Sequence, residues 1–129
     1  MRKGVVSGLI YGAVLLGAPL SAAYSQWTPG SELVGQAVQV ETHGIVNTVY
    51  FDPGGAARIT TPAGNVVNGN WTAAGGQLCL QTATGRECWP YQAAFQAGQQ
   101  VTLVSSCQVA SRWTPLSTNP VQEPAGERG

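Results

Sequence analysis

Across residues 37–114 the chain alternates short apolar-rich runs with clusters of turn-forming residues. The clusters are Thr42-His43-Gly44, Asp52-Pro53-Gly54-Gly55, Thr61-Pro62-Ala63-Gly64, Ala73-Ala74-Gly75-Gly76, Thr82-Ala83-Thr84-Gly85 and Gln96-Ala97-Gly98. The segments between them favour Val, Ile, Thr, Tyr and Trp, and turns every ~8–12 residues are the mark of an antiparallel all-β domain. The pattern predicts strands over 37–42, 45–51, 57–60, 66–72, 77–82, 87–91, 100–104 and 109–114. One helical turn is allowed for over 92–97, and no other stretch after the leader has a helical period. Connections this short pair each strand with the next. The expected fold is therefore an antiparallel meander of about six to eight short strands that curls into a small barrel or half-barrel.

Alternation within the runs names the inner face. Ile45, Val49 and Phe51 share a side on which only Asn47 intrudes, Val67 and Trp71 share one across Gly69, and Leu78 and Leu80 share another. At Asp52-Pro53-Gly54-Gly55, Val49 and Phe51 can face the side of Ile59 only if the hairpin holds one extra residue. A bulge with Gly54 or Gly55 in the left-handed conformation supplies it.

The same register argument places the cysteines. If Thr82-Ala83-Thr84-Gly85 is a four-residue turn, Cys79 lies directly opposite Cys88, and facing α-carbons about 4.5 Å apart can carry a disulfide. A three-residue loop would put the two on opposite faces; a bond from either to Cys107, or reduced thiols, are the alternatives. Structural zinc needs four ligands with a close pair, which three spread cysteines and the distant His43 do not supply. The pair is not Cys-x-x-Cys, so a redox motif is not indicated either. Cys107 falls in Ser105-Ser106-Cys107-Gln108, read as an exposed hairpin turn or as a buried position on one continuous strand.

The N-terminus changes the charge and the compartment. Met1-Arg2-Lys3, an apolar run from Val5 to Leu20, and Ser21-Ala22-Ala23 have the layout of a secretory signal peptide over residues 1–23, with the mature chain starting near Tyr24. The expected location is periplasmic or secreted, in a bacterium. Residues 24–32 are read as an extended segment, 33–116 as the β-domain and 117–129 as a disordered tail. The whole chain is formally neutral; without the leader four arginines face six carboxylates, a net charge of −2, and no lysine remains. Such a chain lacks the cationic footprint of a nucleic-acid binder and the polybasic patch that anionic membranes attract. No stable membrane insertion is expected after leader cleavage.

Candidate chemistry is sparse. After the leader there is one histidine, His43, and one aspartate, Asp52, and the aspartate has an ordinary role as a turn cap before Pro53-Gly54. A glycosidase pair would need two of Glu32, Glu41, Asp52 and Glu87 about 5–9.5 Å apart. No phosphate-binding glycine loop is present, and no metal or cofactor is expected. The tryptophans remain. Trp71 is expected in the core, while Trp27 and Trp113 tie down the ends. Trp89 and Tyr91 share the face of Trp71, with Trp89 opposite Leu78, where core packing is the first reading; because Pro90 cannot donate to a ladder and ends its strand, the alternative is a half-exposed rim of Trp89 and Tyr91 open to a ligand or partner. The expectation is a non-enzymatic domain that binds a small apolar ligand or an envelope protein. The alternatives are an envelope hydrolase using His43 and a carboxylate, or an assembly protein linked through Cys107.

The combination "VYFDPGG", "GNWTAAGGQLCL" and "ECWPY" resembles a group of small exported proteins, mostly alphaproteobacterial, with no assigned activity. In them a Tyr-Phe-Asp turn precedes a Gly-x-Trp strand and a cysteine-bearing hairpin. The resemblance spans roughly Leu33 to Leu116; it implies a fold, and no catalytic residue carries over. Cys107 lies outside the shared pattern. Size and topology are more loosely similar to lipocalin-like barrels and periplasmic lysozyme inhibitors.

Overall fold

The computed structural model describes residues 27–121. The expected leader, its expected cleavage point before Tyr24 and the last eight residues lie outside that range. Eight antiparallel strands form one nearly closed barrel-like sheet: β1 (Gln36–Thr42), β2 (Ile45–Phe51), β3 (Ala56–Thr60), β4 (Val66–Ala74), β5 (Gln77–Thr82), β6 (Gly85–Pro90), β7 (Val101–Val104) and β8 (Ala110–Pro115). Their order is β6-β5-β4-β3-β2-β1-β8-β7. The meander therefore holds except at one place. β6 and β7 do not form a ladder, because residues 91–100 leave the sheet and return, and the barrel closes instead through β1 against β8.

Register follows from the turns. Asp52 accepts back from the chain across Pro53–Gly55, a single 3-10 turn in which Gly54 (φ 86°) and Gly55 (φ 95°) are both left-handed, and the extra residue sets Val49 opposite Ile59 and Phe51 opposite Ala57. The β5–β6 hairpin is tighter than a four-residue turn. Thr82 pairs Gly85 across Ala83-Thr84, yet the register is the one that sets Cys79 opposite Cys88, and the two are bonded. At Gly69, between Ala57 on β3 and β5, an added β-carbon would fall on the Gln81 carbonyl oxygen, so only glycine lets the strands approach there.

Inward positions build the core: Val38, Val40, Val49, Phe51, Ala57, Leu78, Leu80, Trp89 and Trp113 are buried. One end of the barrel is closed by the chain itself. Residues 29–35, of which those up to 32 belong to the segment read as extended, form consecutive turns that push Leu33 into the barrel, with Ser31 N donating to Thr28 O and Leu33 N to Gly30 O. The tail is ordered as far as it is described, because the Asn119 side chain donates to the carbonyls of Ser31 and Val34, and its amide to that of Glu32. Residues 92–97 contain no helical turn. The Phe95 amide is taken by the Glu32 carboxylate and its ring stacks between Tyr91 and Trp113, which holds this stretch irregular.

Candidate functional site

The two ends of the barrel differ in kind. At the closed end Glu32 is fully buried and each of its carboxylate oxygens has a donor. Oε1 accepts from Trp27 Nε1 at 3.0 Å; Oε2 accepts from the Tyr91 hydroxyl at 2.5 Å and from the Phe95 amide at 2.9 Å. The Tyr91 hydroxyl in turn accepts from the Gly30 amide at 2.9 Å. Burial, then the hydrogen bond and charge of Glu32, push the Tyr91 phenol far above its ordinary pKa, so it stays protonated and donating. Fully buried, with a donor on each oxygen, this carboxylate is not exposed to a substrate. Its chemistry is structural.

At the opposite end the turns after β3, β5 and β7 border an open cavity of about 410 Å³. Ile59, Val67, Leu80 and Trp89 form its apolar walls, and Arg86, Glu87 and Cys107 stand at its margin. Two polar groups reach this apolar space. Asn47, the polar intruder on the inner face of β2, and Trp89 both line it, and Asn47 Oδ1 and Trp89 Nε1 are buried without a hydrogen-bond partner among the described residues. A donor and an acceptor left unpaired at this depth each cost about 1–3 kcal/mol.

The half-exposed aromatic rim is not formed. Trp89 is 6% exposed and Tyr91 3%, because the chain turns inward after Pro90 and an unbroken series of ring contacts runs Trp27–Tyr91–Phe95–Trp113–Trp89. Trp89 meets the cavity from inside the core, whereas Tyr91 belongs to the closed end. Trp71, expected to be deep core, is only partly buried; its indole donates to the Asp52 carbonyl and its ring meets Phe51 edge-on. The residue missed beforehand is Asn47, and its signal was present as the one polar break in an apolar inner face.

The remaining candidates lie apart from the mouth. Asp52 is paired with Arg58 at 2.8 Å, and that hydrogen bond holds its carboxyl below the usual carboxylate range. His43, in the β1–β2 turn at φ 53°, borders a shallow hollow with Glu41, Thr102, Ser111 and Arg112. Glu41 faces Arg112 at 3.9 Å, and the buried Ser111 hydroxyl accepts from Trp113 Nε1. Among the described residues no three or more of His, Cys, Asp and Glu are grouped to hold a metal ion, and no helix is long and apolar enough to cross a membrane. Cys107 is exposed and unbonded in the β7–β8 turn. No family model, curated protein or solved structure matches the chain.

Proposed function

We propose that this is an exported binding domain that holds a small, mainly apolar molecule in the mouth of its barrel. The observation that carries the reading is the open cavity of about 410 Å³ walled by Ile59, Val67, Leu80 and Trp89, with Asn47 the polar residue on its inner side. A ligand with an apolar body and a small polar group suits that lining. The volume falls within the ~300–1,000 Å³ of small-molecule pockets, and a few placed polar groups in an apolar lining are what orient such ligands. Export is supported by the leader-like N-terminus, by the Cys79–Cys88 disulfide and by the resemblance to small exported proteins. Binding is favoured over hydrolysis because the polar atoms of the mouth include no histidine or serine hydroxyl placed against a base.

The test is a titration with 1-anilinonaphthalene-8-sulfonate, followed by its own emission and by transfer from tryptophan. Saturable one-to-one binding is expected. Val67→Arg, at a half-exposed position on the mouth, should weaken it roughly tenfold or more, a loss of about 1.4 kcal/mol. Leu116→Arg, exposed at the other end, should leave it unchanged. Binding that does not saturate, or that responds equally to both variants, rejects the mouth as the site.

A further inference from the structure

The carboxylates of the barrel are accounted for with one exception. Among the described residues they are Glu32, Glu41, Asp52 and Glu87, and the guanidinium groups are those of Arg58, Arg86 and Arg112. Asp52 pairs with Arg58, Glu41 faces Arg112, and Glu32 is held by neutral donors. Glu87 has no ion-pair partner among the described residues. Arg86 precedes it in the chain but does not serve. Successive residues of a strand point to opposite faces. Glu87 shares the inner face of β6 with the buried Trp89 and pairs across to Leu80, whereas Arg86 lies on the outer face with its Nη2 3.4 Å from Cys79 Sγ.

The unpaired carboxylate is half-buried and stands at the margin of the mouth cavity, beside the apolar walls of Ile59, Val67 and Leu80. A negative charge placed there loses part of its hydration and receives no countercharge from the chain, a cost that a bound cation offsets. No lysine or histidine lines the cavity, and the one guanidinium at its margin, that of Arg86, is engaged on the outer face. An anion seated in the mouth would therefore meet a like charge.

We propose that the mouth is selective for organic cations, namely amines with an apolar body. The inference rests on the reading of the mouth as a ligand site and adds the charge of what the site takes. The apolar body lies against Ile59, Val67 and Leu80, and the ammonium stays at the opening against Glu87, where it keeps part of its hydration. Charge pairing at such a position supplies discrimination more than raw affinity, because half-exposed charges are screened.

The test compares ligands that share one ring system and differ in charge: 1-naphthylmethylamine, protonated at neutral pH, 1-naphthalenemethanol and 1-naphthoate. Their affinities for the mature protein are read by ligand-observed NMR titration at low ionic strength. The amine should bind roughly three- to tenfold more tightly than the alcohol, and the naphthoate more weakly than either. Glu87→Gln should bring the amine down to the alcohol and leave the alcohol unchanged, which also shows that the variant is folded. Glu41→Gln, which removes the same charge away from the mouth, should keep the preference. The sulfonate dye of the preceding titration should bind Glu87→Gln more tightly than wild type. Equal binding of amine and alcohol by the wild type, or an amine preference that survives Glu87→Gln, overturns the selectivity; alcohol binding that is lost in Val67→Arg then leaves the mouth standing as a ligand site. If none of the naphthalenes binds, the ligand site and this inference fall together.

Discussion

A single carboxylate organises the closed end of the barrel. Glu32 joins Trp27, in its own segment, to Tyr91 and Phe95 of the segment after β6, and it does so fully buried. Tyr91 carries the measurable signature. An unfolded tyrosine releases its proton near pH ~10, whereas burial first and Glu32 second keep the folded Tyr91 protonated to higher pH. Between those two points the folded chain holds more protons than the unfolded one, so this contribution is complete below about pH 10 and is lost as pH climbs toward the folded value. Melting temperatures measured through this range should fall more steeply for the wild type than for Tyr91→Phe. The tryptophans give a second contrast. Trp89 is nearly inaccessible and edge-on to Trp113 at 4.9 Å, while Trp71 is only partly buried. Trp89→Ala should cost about 3–5 kcal/mol, and Trp71→Ala clearly less, by chemical denaturation.

At the scale of elements, the β5–β6 hairpin was the most legible part of the chain. Turn residues at Thr82–Gly85 and the alternation of Leu78 and Leu80 fix the pairing, and the cysteines then face each other whether the turn is counted as two residues or four. Closing a loop of about ten residues should stabilise the fold by roughly 2–3 kcal/mol. Cys88→Ser should therefore lower the melting temperature about as far as reduction lowers that of the wild type, while Cys107→Ser leaves it nearly unchanged. Less legible were segments whose conformation is set by distant partners. Nothing local in residues 27–35 announces that Leu33 will plug a barrel. Nothing local in 91–97 announces that a buried glutamate some sixty residues away will claim the Phe95 amide. A rim position for Trp89 was the alternative to core packing because Pro90 does end the ladder; what could not be read was that the following segment folds inward and covers the ring. Asn47 was legible as an anomaly, and only its neighbours across the barrel turn the anomaly into a cavity wall.

For the molecule as a whole, the decisive feature is that a meander which nearly closes leaves its gap between β6 and β7, at the side of the mouth cavity. Seven strand pairs are held by continuous ladders, but across the seam Ser106 alone links Cys88, through one hydrogen bond from its amide and one to its hydroxyl. Edge strands with few cross-links open at lower free energy than the sheet they flank, and amide exchange reads that difference directly. Ser106→Ala removes the hydroxyl acceptor of the Cys88 amide and leaves the Ser106 backbone donor in place. The expected result is faster exchange of the Cys88 amide, by roughly tenfold for a net hydrogen bond worth about 1 kcal/mol or somewhat more, with β2, β3 and β4 unaffected and the melting temperature nearly constant. If instead protection drops uniformly along the sheet, the seam opens only with global unfolding, and access to the mouth does not pass through it.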